Sequence, residues 1–255
     1  ALGDAEALGS VNDSAAANAR ILAALFRPRE PGRSAPATVI GRHLVADVGS
    51  LNPVLAETTA EFDVLGLTGV CLFGFDRHAE PFANGDVVSG WQSSADGLVD
   101  KIVLRDDLTW SDGAPITAHD VAFTWRLITD PRVPARSFRD AARRLRGVHA
   151  YDDRTVVFFH TEPAATVTSG IDYPVLPRHV YARTWEQDPT LTTSPAHVAV
   201  ESKPVTGGPY AVAARVPGRE IVLRRRPAWS VSRGRPVRET PAFAEIRFLV
   251  CTDPD

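Results

Sequence analysis

With 255 residues, 44% of them hydrophobic and 23% charged, the chain carries enough apolar material for one large core or two modest ones, which excludes a disordered chain or a stapled mini-protein. A formal net charge of −3 gives no reason to expect nucleic acid or an anionic membrane as partner. Only Lys101 and Lys203 are lysines, so the positive charge is almost all arginine, a bias that fits genome composition better than a binding site.

Residues 1–36 read as an N-terminal extension or linker helix docked on the surface. Asn12, Asp13 or Ser14 would cap an Ala-rich helix with Ile21, Leu22 and Leu25 as its apolar stripe, and Pro28, Pro31 and Gly32 would break it. Met is absent throughout, and so is any basic, then apolar, then small-residue leader, which points to a processed or trimmed chain. A strand is expected from Thr38 through Leu44 and Ala46 toward Leu51-Asn52-Pro53. Glu57 to Glu61 follows as a polar loop in which Thr58 or Thr59 would cap a helix. The uncharged run Val64 to Phe75 is about half the length that a membrane-crossing helix needs. Cys71 and Cys251, both in apolar settings, could be joined in an exported protein, but two buried free thiols are the preferred reading; they are too few for a zinc site.

Gly90 to Ile128 is the most ordered stretch of the pattern. Lys101 to Arg105 predicts a strand, and Ser111-Asp112-Gly113 a turn whose glycine takes positive φ. Thr117 and Asp120 form a capping box, the hydroxyl accepting an early helical N–H, and helix begins at Ala118. Val121, Trp125 and Ile128 share one face, widened by Phe123 and Leu127, and Asp130-Pro131 stops the helix. Such a helix is built to lie on a sheet.

Arg132, Arg136, Arg139, Arg143, Arg144 and Arg146 mark a solvated face; without interleaved aromatics they do not make a nucleic-acid groove. Val148–Tyr151 and Thr155–Phe159 read as a hairpin turning on Asp152-Asp153. Pro217-Gly218 turns strand Tyr210–Val216 into Glu220–Arg224, and Ala244–Cys251 is a last strand. The nucleophile-elbow, zinc-protease, phosphate-loop and paired-cysteine motifs are all missing, and His119 and His179 read as structural. No catalytic residue, cofactor or metal is expected.

Trp91, Ser94, Asp96, Gly97, Leu104, Arg105, Trp110, Asp112, Gly113, Pro115, Thr117, Ala118, Asp120 and Val121 stand in an order and spacing that resembles the signature of family 5 extracellular solute-binding proteins, the peptide, dipeptide and nickel receptors of ABC importers. Leu51-Asn52-Pro53, Pro174 to Val180, Lys203 to Tyr210 (with Thr206 and Gly207 exchanged) and Ile221 to Trp229 resemble further segments of that family. The resemblance implies a periplasmic-binding-protein-like (class II) α/β lobe, a mixed sheet with flanking helices and an inserted α+β subdomain near residues 70–178. It makes residues 37–255 lobe I of a two-lobed clamp whose lobe II is absent from this chain. The sheet would be built from strands near Thr38–Asp47, Tyr210–Arg224 and Ala244–Cys251. By the same resemblance Glu57, Thr58 and Thr59 line the cleft and Phe138 reaches the ligand. The expected role is an extracytoplasmic receptor, periplasmic or lipid-anchored, monomeric, that binds an oligopeptide, dipeptide or other small solute and delivers it to an ABC transporter permease. The alternative is an accessory or interaction module that keeps the fold without transport.

Overall fold

The computed structural model describes residues 39–44, 46–75, 81–164 and 170–251; the helix expected within residues 1–36 lies outside them. The elements in chain order are β1 (Val39–Leu44), a 3-10 turn (Pro53–Leu55), α1 (Thr59–Thr68), β2 (Phe73–Phe75), β3 (Pro81–Ala83), β4 (Val88–Ser93), β5 (Val99–Leu104), α2 (Ala118–Thr129), α3 (Arg136–Ala142), β6 (Leu145–Ala150) and β7 (Thr155–His160). Then come α4 (Arg178–Tyr181), α5 (Pro195–Ser202), β8 (Tyr210–Val216), β9 (Glu220–Arg225), α6 (Pro227–Ser230), β10 (Val231–Ser232), β11 (Arg235–Pro236) and β12 (Glu245–Val250).

The first sheet has the order β1-β12-β9-β8. β1 runs parallel to β12, whereas β12, β9 and β8 are antiparallel neighbours. This is the mixed sheet expected from the sequence. Ile221, Leu223, Ile246 and Phe248 alternate inward from it, and with Leu44, Val48, Leu51, Ala60, Val64 and Tyr210 they form one apolar cluster. The β8–β9 reversal turns on Pro217 and Gly218, the latter at φ 70°, and closes with Arg219 N–H on Val216 O at 3.0 Å.

The second sheet, β4-β5-β7-β6, is antiparallel throughout and comes wholly from chain lying between two passes through the first. α2 packs on it, burying Val121, Leu127 and Ile128 completely. The capping box expected at Thr117 and Asp120 is present: Asp120 accepts the Thr117 N–H at 2.7 Å, and the Thr117 hydroxyl also lies 3.2 Å from the same carboxylate oxygen. Past Thr129, Arg139 donates to the carbonyls of Ile128, Asp130 and Val133. It satisfies groups at the C-terminal end of α2 that have no helical partner, so this member of the arginine cluster is not a solvated one.

The hairpin β6–β7 differs from the two-residue turn predicted for it. Residues 151–154 all lie between the strands, because Asp152 Oδ1 accepts the amides of Arg154 at 2.8 Å and Thr155 at 2.6 Å and so widens the loop. Cys251 is exposed, not buried, and its Sγ lies 3.0 Å from His43 Nδ1. Cys251 lies one residue past the end of β12 at Val250, and its N–H still donates to Leu44 O at 2.9 Å.

Two glycines let the segment before β8 press onto the end of α1. Gly207 and Gly208 both donate to Thr68 O, at 3.1 and 2.8 Å. Beside them the buried Arg226 guanidinium reaches Gly208 O at 2.8 Å and Thr109 O at 2.6 Å, and burial lowers its pKa to about 10. It joins the end of β9 to the turn after β5, and the Asp112 charge offsets part of the effect of burial.

Candidate ligand-binding face

The geometry around Glu57 starts from Glu61. Its carboxylate, buried in the first turn of α1, accepts the amides of Glu57 at 2.8 Å, Thr58 at 2.9 Å and Ser50 at 3.0 Å. Thr58 is in turn the N-cap, its hydroxyl accepting the Glu61 N–H at 3.3 Å. Burial alone would raise the Glu61 pKa, but the amides of Glu57, Thr58 and Ser50 outweigh it and hold the carboxyl below its ordinary range. Gly49 leaves room for this arrangement, since a Cβ there would lie 2.9 Å from Glu61 Oε1. With the backbone drawn inward, the side chains of Glu57, Thr58 and Thr59 are all exposed.

The other side of the same loop is tied to α5. Glu201 accepts the Leu51 amide at 2.6 Å and the Ser50 hydroxyl at 3.1 Å, and it pairs with Arg215 at 2.7 Å. Sequence reasoning missed both carboxylates. The Ser/Thr-x-x-Glu spacing at Thr58 and Glu61 was legible as a cap, whereas nothing local ties Glu201 to Leu51.

Helix α3 brings the fourth expected residue to this face. Ser137 donates to Ala56 O at 2.7 Å, and Arg136 Nε stands 3.7 Å from Glu57 Oε1. Phe138 meets Phe62 edge to face at a centroid distance of 6.2 Å and an interplanar angle of 80°. Phe62 is 42% exposed, an uncommon setting for a large apolar ring that already has an aromatic neighbour. Glu57, Thr58, Thr59 and Phe138, from elements far apart in the chain, therefore lie on one surface with an acid, a base and an aromatic pair.

One group elsewhere has the outline of a hydrolytic relay. His197 Nδ1 lies 2.8 Å from Asp188 Oδ2, and Thr184 Oγ1 lies 2.7 Å from His197 Nε2. Both imidazole nitrogens are engaged and the His197 side chain is 1% exposed, so no substrate reaches the pair. The network instead orders the chain before α5, where Asp188 also takes the amides of Thr193 and Ser194 at 2.9 and 2.6 Å. His179 and Asp112 meet at 2.7 Å on the surface, and His119 and Asp153 at 3.6 Å. Among the described residues no group of three or more His, Cys, Asp or Glu side chains is arranged to hold a metal ion, and no helix is long and apolar enough to cross a membrane.

The family model described as bacterial extracellular solute-binding proteins, family 5 Middle, matches residues 83–255. The chain belongs to this family. Among curated relatives, Protein XP55 of Streptomyces lividans is 34% identical over 134 residues, which cover 52% of this chain and 22% of that protein. The periplasmic oligopeptide-binding protein OppA of Salmonella typhimurium is 28% identical over 203 residues, 72% of this chain and 35% of its own length. Haemophilus influenzae OppA, solved with the peptide RPPGFSPFR, superposes with a TM-score of 0.67 at 22% identity over 86% of this chain and 43% of that one. Campylobacter jejuni NikZ, solved with Ni(L-His), does so with a TM-score of 0.67 at 21% identity over 86% of this chain and 40% of that one. At these identities the superpositions establish the fold, an α/β lobe of the periplasmic-binding-protein kind. The chain spans well under half the length of each of these relatives.

Proposed function

We propose that this family 5 chain is part of an extracytoplasmic receptor that binds peptides and hands them to an ABC importer, and that it does no chemistry of its own. Residues 37–255 act as one lobe, with the second sheet and its helices as an inserted subdomain, and the ligand lies against the face carrying Glu57, Thr58, Thr59 and Phe138. The observation that carries this reading is the meeting of Glu57 with α3. The Arg136 Nε to Glu57 Oε1 distance of 3.7 Å is loose, and both side chains are largely open to solvent, so the carboxylate is available to an incoming amine. The Phe62–Phe138 pair beside it offers apolar surface to a side chain of the same ligand. The extended backbone of a peptide suits a wall of this kind, where main-chain hydrogen bonds give affinity and a few side chains give preference. The oligopeptide-binding relatives favour the same class.

Native mass spectrometry of the protein at its natural length, purified without denaturation, tests the reading. Release of a peptide series on denaturation is expected. Release of a single sugar or metal chelate, with no peptide, would overturn it.

A further inference from the structure

A small cavity of about 20 Å³ lies where the end of α1, the turn that holds Trp110 and the segment before β8 come together. Leu51, Leu65, Val175, Leu176 and Val205 make its wall largely apolar, and among the described residues no charged side chain borders it. Two buried polar groups of residues on that wall have no hydrogen-bond partner among the described residues. They are the indole Nε1 of Trp110, a residue 2% exposed, and the hydroxyl of Thr206, a residue 6% exposed. Buried polar groups are as a rule paired, with protein or with ordered water, so two orphans bordering one cavity call for a ligand. The backbone keeps these residues side by side: Ser111 N donates to Thr206 O at 2.8 Å, and Thr206 N to Ser111 Oγ at 3.0 Å. Gly207 follows so near the indole that a Cβ on it would lie 2.9 Å from Trp110 Cζ3 and 2.2 Å from Val70 Cγ2. A side chain is shut out at 207 and taken in at 206, which gives the exchanged order of Thr206 and Gly207 a physical sense.

We infer that this cavity is the site of one bound water molecule, held by the Trp110 indole N–H and the Thr206 hydroxyl. Size admits that ligand: a water takes up about 10–15 Å³ on the same measure, whereas an organic ligand needs about 300 Å³ or more. Chemistry selects it. An indole N–H only donates, so its partner must accept, and a hydroxyl does either. A cation would meet the indole proton with no carboxylate on the wall to offset its charge, and an anion would find no cation there; water serves both groups and carries no charge into the interior. Thr68, 2% exposed on the same wall, donates its hydroxyl to Val64 O at 3.2 Å and keeps lone pairs, and Tyr181 is the remaining polar side chain. No residue of the Glu57–Phe138 face borders the cavity, so the site is independent of the peptide reading. The water joins the entry to β8 to the turn after β5, the same joint that Arg226 closes through Gly208 O and Thr109 O.

The test is a high-resolution crystal structure of the protein at its natural length, with Thr206→Ser and Thr206→Val solved beside it. In wild type one ordered water is expected within about 3.2 Å of both Trp110 Nε1 and Thr206 Oγ1. Thr206→Ser keeps the hydroxyl and is expected to keep the water. Thr206→Val has nearly the same shape but neither donates nor accepts, and is expected to lose it. A wild-type cavity without a water would overturn the proposal, as would a direct hydrogen bond from the Trp110 indole to Thr206. So would a water that Thr206→Val leaves in place. If the valine variant fails to fold, the wild-type and Thr206→Ser structures decide the question between them.

Discussion

Glu61 accepts the amide of Glu57 at 2.8 Å, and the same carboxylate, through its other oxygen, accepts the amide of Ser50 at 3.0 Å. One side chain thereby fixes both ends of the loop that presents the candidate face. Replacing it with alanine strands three amides in a part-buried setting, a loss of about 2–4 kcal/mol on the scale of charge-assisted bonds and lost caps. Urea unfolding is expected to show a lower midpoint at unchanged slope. Glu61→Gln, which keeps one acceptor, is expected to fall between. A wild-type midpoint in Glu61→Ala would mean that the loop is held by Glu201 alone.

Acid sensitivity follows from Glu61 and Asp188. In Asp188, burial opposes ionisation but is outweighed by the Thr190 hydroxyl, the Ser194 amide and His197, which hold the carboxyl well below its usual range. A depressed native pKa means that the unfolded chain takes up protons first. The stability these groups supply is therefore complete above the ordinary carboxylate range, about pH 4, and is lost as pH falls toward the native values. Chemical denaturation across the acid range is expected to give a shallower acid limb in Asp188→Asn than in wild type. Parallel limbs would show that Asp188 contributes no linked proton.

Gly207 and Gly208 are predicted to resist substitution by any side chain. A Cβ on Gly207 would lie 2.2 Å from Val70 Cγ2, and one on Gly208 would lie 2.7 Å from the carbonyl oxygens of Leu67 and Gly69. Either alanine variant forces the loop off α1, at a cost of about 1–3 kcal/mol or more. Gly85→Ala, where a Cβ would meet nothing within 4 Å, is the control. Thermal midpoints should fall for the first two and hold for the third.

The two thiols should react at very different rates. Burial, with the Asp172 charge adding to it, raises the Cys71 pKa to about 11, whereas Cys251 is exposed. Brief treatment with a maleimide at neutral pH, followed by peptide mapping, should label Cys251 and leave Cys71 until the protein is unfolded. Equal labelling would place Cys71 at the surface.

Binding at the Glu57 face is open to a direct measurement in protein of natural length. Glu57→Ala is expected to weaken the affinity for a cognate peptide by about 1–3 kcal/mol, the scale of a charge-assisted hydrogen bond. Calorimetry that returns the wild-type affinity would remove Glu57 from the site.

The parts of this structure legible in sequence are those set by near neighbours. The helix from Ala118 to Thr129, the positive φ of Gly113 and the Pro217-Gly218 turn are each written within a few residues of where they occur. The mixed sheet was also legible, because its strands carry matching motifs in order. The Glu201 bonds to Ser50 and Leu51 and the clasp of Arg226 on Thr109 O were not, since each joins residues with no periodic relation. The exposure of Cys251 escaped as well, because an apolar run reads alike in a strand's buried middle and at its open end.

The pairing of β1 with β12 joins the first described strand to the last, and this orders events during synthesis. The second sheet has all its strands between Val88 and His160, so its ladders close over short spans as soon as that chain has left the ribosome. The first sheet cannot complete until Val250 has emerged, and its parallel ladder closes a loop containing nearly everything else, a slow step on topological grounds. Until then the β1 backbone waits without its ladder partner, and the nascent chain is most exposed to self-association during that interval.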